Sequence, residues 1–170
     1  DDHGNRTVTV NVGEKGLAWR RLRVKGTPGH GSMPFGADNA LIKAAEIVRR
    51  IADYRPSAHI DDIWEAQVDA FGLPDELRDA LKSSDKIWDT LKDLPPGMAR
   101  TCHALTHTTF SPNVAHGGQK TNTIPDVIEI DVDIRTVPGT TKDDVEQHLR
   151  DAIGDLYEHV EVSELQSSNP

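Results

Sequence analysis

The chain has 170 residues, 28 acidic against 19 basic, for a net charge of -9 and a pI near 5.3. That length builds one domain with a proper core, or one domain carrying a sizeable insertion, rather than two full domains. An acidic surface repels phosphate backbones and anionic lipid, so nucleic acid and membrane are poor partners, and no apolar run is long enough to span a bilayer.

No signal-peptide pattern opens the sequence, and the single cysteine, Cys102, rules out an internal disulfide framework and multi-cysteine metal sites. Cys102 reads as a small buried side chain, and the chain as soluble and cytoplasmic. DDHGNR at the start, without a methionine, and QSSNP at the end read as polar connectors to a longer protein, with 1–16 and 166–170 flanking one domain at 17–165.

Thr7 to Val12 alternate β-branched and polar residues like a connector or edge strand, and GEKG interrupts them. From Leu17 to Lys25, Leu17, Trp19, Arg21, Arg23 and Lys25 share one face and Ala18, Arg20, Leu22 and Val24 the other, which predicts a strand. The loop TPGHGSMP follows at Thr27–Pro34. Asp38 to Tyr54 then carry Leu41, Ala44, Ala45, Val48 and Ile51 at helical steps, with Asp38 or Asn39 placed to cap.

Between about 55 and 105 the pattern changes to short helices around Trp64, Phe71, Leu77, Leu81, Trp88 and Leu91, punctuated by Pro74 and by Pro95-Pro96-Gly97, and reads as an insertion. Leu105 to Val114 form a Thr-rich strand and AHGGQK a turn, in which Gly117-Gly118 are structural. Val127 to Thr136 alternate cleanly, with Ile128, Ile130, Val132 and Ile134 on one side and Glu129, Asp131, Asp133 and Arg135 on the other. Thr140 and Thr141 open a helix with Val145, Leu149 and Ile153 on one side, and Tyr157 to Leu165 form a last strand.

With the insertion set aside, the order is strand, helix, strand, strand, helix, strand. That is the α+β, ferredoxin-like βαββαβ pattern: a four-stranded antiparallel sheet with two helices on one face.

GTPGHGSMPFGADNAL at Gly26–Leu41 and GGQKTNTIPDVIEIDVDIRTVPG at Gly117–Gly139 together resemble the dimerisation, or lid, domain of the M20 family of metallopeptidases and amidohydrolases, with carboxypeptidase G2-, aminoacylase- and desuccinylase-like members. The resemblance implies the same ferredoxin-like fold and a lid that pairs with another lid as a homodimer. It implies two zinc ions in a catalytic domain that this chain lacks, and a parent that hydrolyses an amide bond beside a free carboxylate in a peptide or N-acyl amino acid. The fragment alone is expected to be inactive.

Carried over by motif, His30 is expected to reach into the partner's active site and stabilise the oxyanion. Asn122, of the Asn-x-Ile-Pro turn fixed by Pro125, would hydrogen-bond substrate, and Arg135 would grip its carboxylate. The plain readings are a surface histidine in a turn, a turn-forming asparagine, and an arginine paired with Asp133 or Glu129.

No metal site is expected in this chain. It has no Glu-Glu pair, and its only His-x-Asp, His59-Ile60-Asp61, stands beside a helix cap, with His59 at the surface. His103, His107 and His116 are spaced across a strand and a turn and read as solvent-facing. The rival to the hydrolase reading is a regulatory ferredoxin-like module whose TPGHGSMP loop holds a small effector; an RNA-binding module lacks both the aromatics and the charge.

Overall fold

The structure is a computed structural model describing residues 13–168. In chain order it contains β1 (Gly16–Lys25), β2 (Gly29–His30), α1 (Ala40–Asp53), α2 (Asp62–Ala70), α3 (Asp75–Leu81), α4 (Ile87–Asp93) and α5 (Pro96–Thr106). Then follow β3 (Thr109–Gly117), β4 (Thr123–Ile124), β5 (Val127–Thr136), α6 (Lys142–Ile153), a 3-10 segment (Gly154–His159) and β6 (Val160–Ser168).

The long strands form one antiparallel sheet in the order β3-β5-β1-β6, which is the expected ferredoxin-like arrangement. Alternation dictates which face is covered. Ile128, Ile130, Val132 and Ile134 of β5 and Ala18, Leu22 and Val24 of β1 are buried beneath α1 and α6. Arg20 breaks the apolar row of β1 yet is buried with it. Its guanidinium bonds the Trp19 carbonyl at 3.1 Å and lies 3.7 Å from Glu164, so the charge has partners at the sheet edge.

Asn39 caps α1, accepting from the Leu41 amide at 2.9 Å. The stripe that enters the core is Ala40, Ala44, Ile47 and Ile51. Leu41 and Ala45, expected in that stripe, face outward, because the apolar arc of α1 is wider than the surface the sheet can cover. In α6 Thr141 and Asp144 form a reciprocal capping box, and Val145, Leu149 and Ile153 are buried as their spacing predicts.

Two strand boundaries differ from the sequence reading. Leu105 and Thr106 complete α5, where the Thr106 hydroxyl donates back to the Cys102 carbonyl at 2.7 Å. The next strand starts only at Thr109 and runs to Gly117, absorbing part of the expected turn. At the other end Tyr157–His159 are 3-10, and β6 extends through Gln166–Ser168, within the stretch expected as a connector, because Ser168 finds a pairing partner in Leu17. The strand or connector expected at 7–12 lies outside the described residues.

Helices α2–α5 form a second small core of Trp64, Val68, Leu81, Ile87, Leu91 and Cys102. Leu77 packs at its margin, whereas Phe71 is a third exposed and Trp88 turns toward the sandwich, donating its indole N–H to the Pro56 carbonyl at 3.0 Å. The expectation that His103 and His107 face solvent fails for His107, while His103 is half-buried: they sit one turn apart at the end of α5, where that helix packs against Trp88. His107 is fully buried, stacked 4.8 Å from His103 and tilted against Trp88 at 4.6 Å. His116, on the edge strand, is exposed.

Candidate functional site

At the end of the sheet where β1 meets the start of β5, the chain folds TPGHGSMP against TNTIP through a ladder of backbone bonds. Gly26 donates to Asp126 and Gly31 to Asn122, each at 2.7 Å, and Ala40 donates to Pro125 at 3.2 Å. Between them β2 pairs with β4, placing Gly29 opposite Ile124 and His30 opposite Thr123. Close approach explains the glycines. A Cβ on Gly26 would lie 2.5 Å from the Asp38 carbonyl, and one on Gly31 only 3.1 Å from the Asn122 backbone.

His30 and Asn122 are thus neighbours, both exposed, beside an open pocket of about 460 Å³ lined by Gly31, Pro34, Leu41, Lys120, Thr121 and Pro125. Ser32 orients the imidazole: its amide donates to His30 Nδ1 at 3.2 Å and its hydroxyl lies 2.7 Å away. With Nδ1 used as an acceptor, the neutral ring carries its proton on Nε2 and presents a hydrogen-bond donor outward. Ser32 went unremarked in the sequence, although a serine two residues after the loop histidine is the short spacing such a bond needs.

Arg135 lies elsewhere. It stands opposite Leu17, about eight residues along β5 from Val127, which is roughly 26 Å at the rise of an extended strand. Its Nε donates to Asp133 Oδ1 at 2.7 Å and Nη2 to Oδ2 at 3.2 Å, so of the two pairings foreseen the structure shows Asp133. Asp133 Oδ1 also accepts from the Trp19 indole at 2.8 Å, and the guanidinium lies over that ring, 5.7 Å from its centroid. Among the described residues Nη1 makes no hydrogen bond. Trp19 was missed because its indole reaches Asp133 only across the β1–β5 pairing.

His59 is half-exposed, with Nε2 3.4 Å from Asp61, and Asp61 is engaged as the cap of α2, accepting from the Trp64 amide at 2.8 Å. Among the described residues, no three His, Cys, Asp or Glu side chains come together in a way that could hold a metal ion, and no helix is long and apolar enough to cross a membrane.

The split βαβ sandwich sets His30 and Asn122 at one end of its sheet and Arg135 at the other. The chain belongs to the peptidase dimerisation domain family of M20 peptidases, whose profile matches residues 12–161. It is 29% identical over 166 residues to an N-fatty-acyl-amino acid synthase/hydrolase, PM20D1, of Xenopus tropicalis, covering 95% of this chain and 31% of that protein. It is 25% identical over 161 residues to a probable carboxypeptidase S-like 2 of Dictyostelium discoideum, covering 93% and 30%. The chain therefore spans about a third of the length of the curated relatives it matches.

Among solved structures the fold is shared with an aminobenzoyl-glutamate utilization protein from Klebsiella pneumoniae, with a TM-score of 0.55 and 11% identity over 92% of this chain and 29% of that one. It is also shared with a hydantoinase/carbamoylase family amidase from Burkholderia ambifaria, with a TM-score of 0.53 and 16% identity over the same shares. The family match favours a peptidase dimerisation domain over a free-standing effector-binding module.

Proposed function

We propose that this chain caps the active site of a metal-dependent peptidase or amidohydrolase and pairs with a second copy as a homodimer, being inactive by itself. In the parent, two zinc ions held outside this chain would polarise the scissile carbonyl and activate water. The substrate is a peptide or N-acyl amino acid with a free carboxylate; the names of the relatives, an N-fatty-acyl-amino acid synthase/hydrolase and a probable carboxypeptidase S-like protein, support that class.

The observation that carries this reading is the exposed His30, whose Nδ1 accepts from the Ser32 amide, set beside Asn122. A donor so placed stabilises an oxyanion only when a second surface closes over it. Arg135, roughly 26 Å away along the strand, is beyond reach of the same substrate. In a two-fold pair, His30 and Asn122 of one copy complete one active site while Arg135 serves the other.

Self-association is supported by Met33, Phe35, Leu41 and Ile42, all more than half exposed, in the loop and first turn of α1 beside the edge strand β3. The buried lone Cys102 fits a reducing, cytoplasmic setting. The test is His30→Ala in the full-length parent: turnover falls strongly with zinc content intact. Unchanged turnover would remove His30 from the reaction.

A further inference from the structure

Where the insertion meets the sandwich there is a second pocket, of about 580 Å³, that the capping role does not use. It lies at the C-terminal end of α1, about 20 Å along that helix from the His30 loop, and on the opposite face of the sheet from Arg135. A volume in this range accepts a small organic ligand, and junctions between packed units are where such sites form.

Its walls are aromatic and rigid. Tyr54 and Phe110 meet edge to face at 5.7 Å, and the Tyr54 hydroxyl is occupied by His148 Nδ1 at 2.7 Å, so the phenol offers its ring rather than its polar tip. Trp88 is pinned by its bond to the Pro56 carbonyl and backed by the His103–His107 stack, and Leu91 completes the apolar surface.

The rim is cationic in a chain of net charge -9. Lys92 and Asp53 at this rim are committed to Asp89 and Arg49, at 2.6 and 2.8 Å. Arg55 and Arg100 both line the pocket, and among the described residues neither makes an ion pair or a side-chain hydrogen bond. The Arg55 guanidinium lies over the Trp88 ring, 5.6 Å from its centroid. Asp89, whose carboxylate is held by Lys92, also feels the Arg55 charge; the two guanidiniums, bonded to no side chain among the described residues, complement one kind of guest, a carboxylate on an apolar body.

We propose that this pocket is a binding site for an amphipathic carboxylate, its apolar body seated on Tyr54, Trp88, Leu91 and Phe110 and its carboxylate held by Arg55 and Arg100. The site is separate from His30, Asn122 and Arg135, and stands whether or not their assigned roles hold.

The test is calorimetric titration of the 170-residue chain with 4-phenylbutyrate, followed in parallel by amide and indole NMR shifts. Saturable binding is expected, with the Trp88 indole shifting, weakening as salt rises. 4-Phenylbutan-1-ol is expected to bind about tenfold more weakly, as is the carboxylate to an Arg55→Gln, Arg100→Gln double variant. Both arginines are solvent-exposed, so circular dichroism of that variant should match the parent chain. Equal affinity for the alcohol, an unchanged double variant, or shifts confined to the His30 loop would each overturn the proposal.

Discussion

Gly31 donates its amide to the Asn122 carbonyl at 2.7 Å, and that bond sets the His30 loop beside the Asn122 turn although the two segments lie far apart in the chain. A methyl group at Gly31 would press on the Asn122 backbone from 3.1 Å. Gly31→Ala is therefore expected to leave the exposed loop folded but to part the two segments, lowering turnover of the parent enzyme by up to about a hundredfold, since misplacement of about an ångström is that costly. Steady-state kinetics beside a thermal melt check this. Full activity would mean that His30 and Asn122 need not act together.

Asp133 holds Arg135 from one side and Trp19 from the other. Asp133→Asn keeps the shape but removes the charge that orients the guanidinium. The expected result is a several-fold rise in KM for a substrate with a free carboxylate, with kcat little changed, and no effect for the matching amide. A kcat loss shared equally by both substrates would contradict a carboxylate-gripping role for Arg135.

His107 makes folding sensitive to acid. The Thr106 hydroxyl donates to Cys102, so His107 Nδ1 donates to Thr106 at 2.8 Å, and Nε2 is buried without a partner among the described residues. Burial first, then the proximity of His103, pushes its pKa from 6.5 down to about 4, and Lys15 nearby acts in the same direction. The neutral ring is the folded form, so the unfolded chain binds the extra proton. Stability is full above pH 6.5 and lost as pH falls toward 4, by on the order of 3 kcal/mol from this residue. Urea unfolding at pH 7 and pH 4.5 should show a smaller loss for His107→Gln than for the native chain. An identical loss in both would place the acid sensitivity elsewhere.

The capping box of α6 gives a stability prediction independent of function. Thr141→Ala removes the acceptor for the Asp144 amide and is expected to cost about 1 kcal/mol, read as a lower urea midpoint at unchanged slope. A shift in slope instead would mean that the change acts beyond the helix end.

Much of the fold is local and so is legible in the residues. The strict alternation of Val127–Thr136 is a strand with one wet face, and Thr141 with Asp144 is a helix start whatever surrounds it. Harder cases are those where local chemistry permits two outcomes. Leu41 and Ala45 share a broad apolar arc with Ala44 and Ile51, and only the width of the sheet decides which of them enters the core. His107 carries no mark of burial in its own sequence; α4 brings Trp88 over it.

The sequence by itself determined the order of strands and helices, the separate helical insertion and the two motif-bearing segments, because periodicity and capping act over a few residues. Tertiary structure alone decided the register of those strands, with Leu17 of β1 set opposite both Arg135 and Ser168. Strand pairing over long separations is what draws Asn122 to His30 and leaves Arg135 at the far end of the sheet.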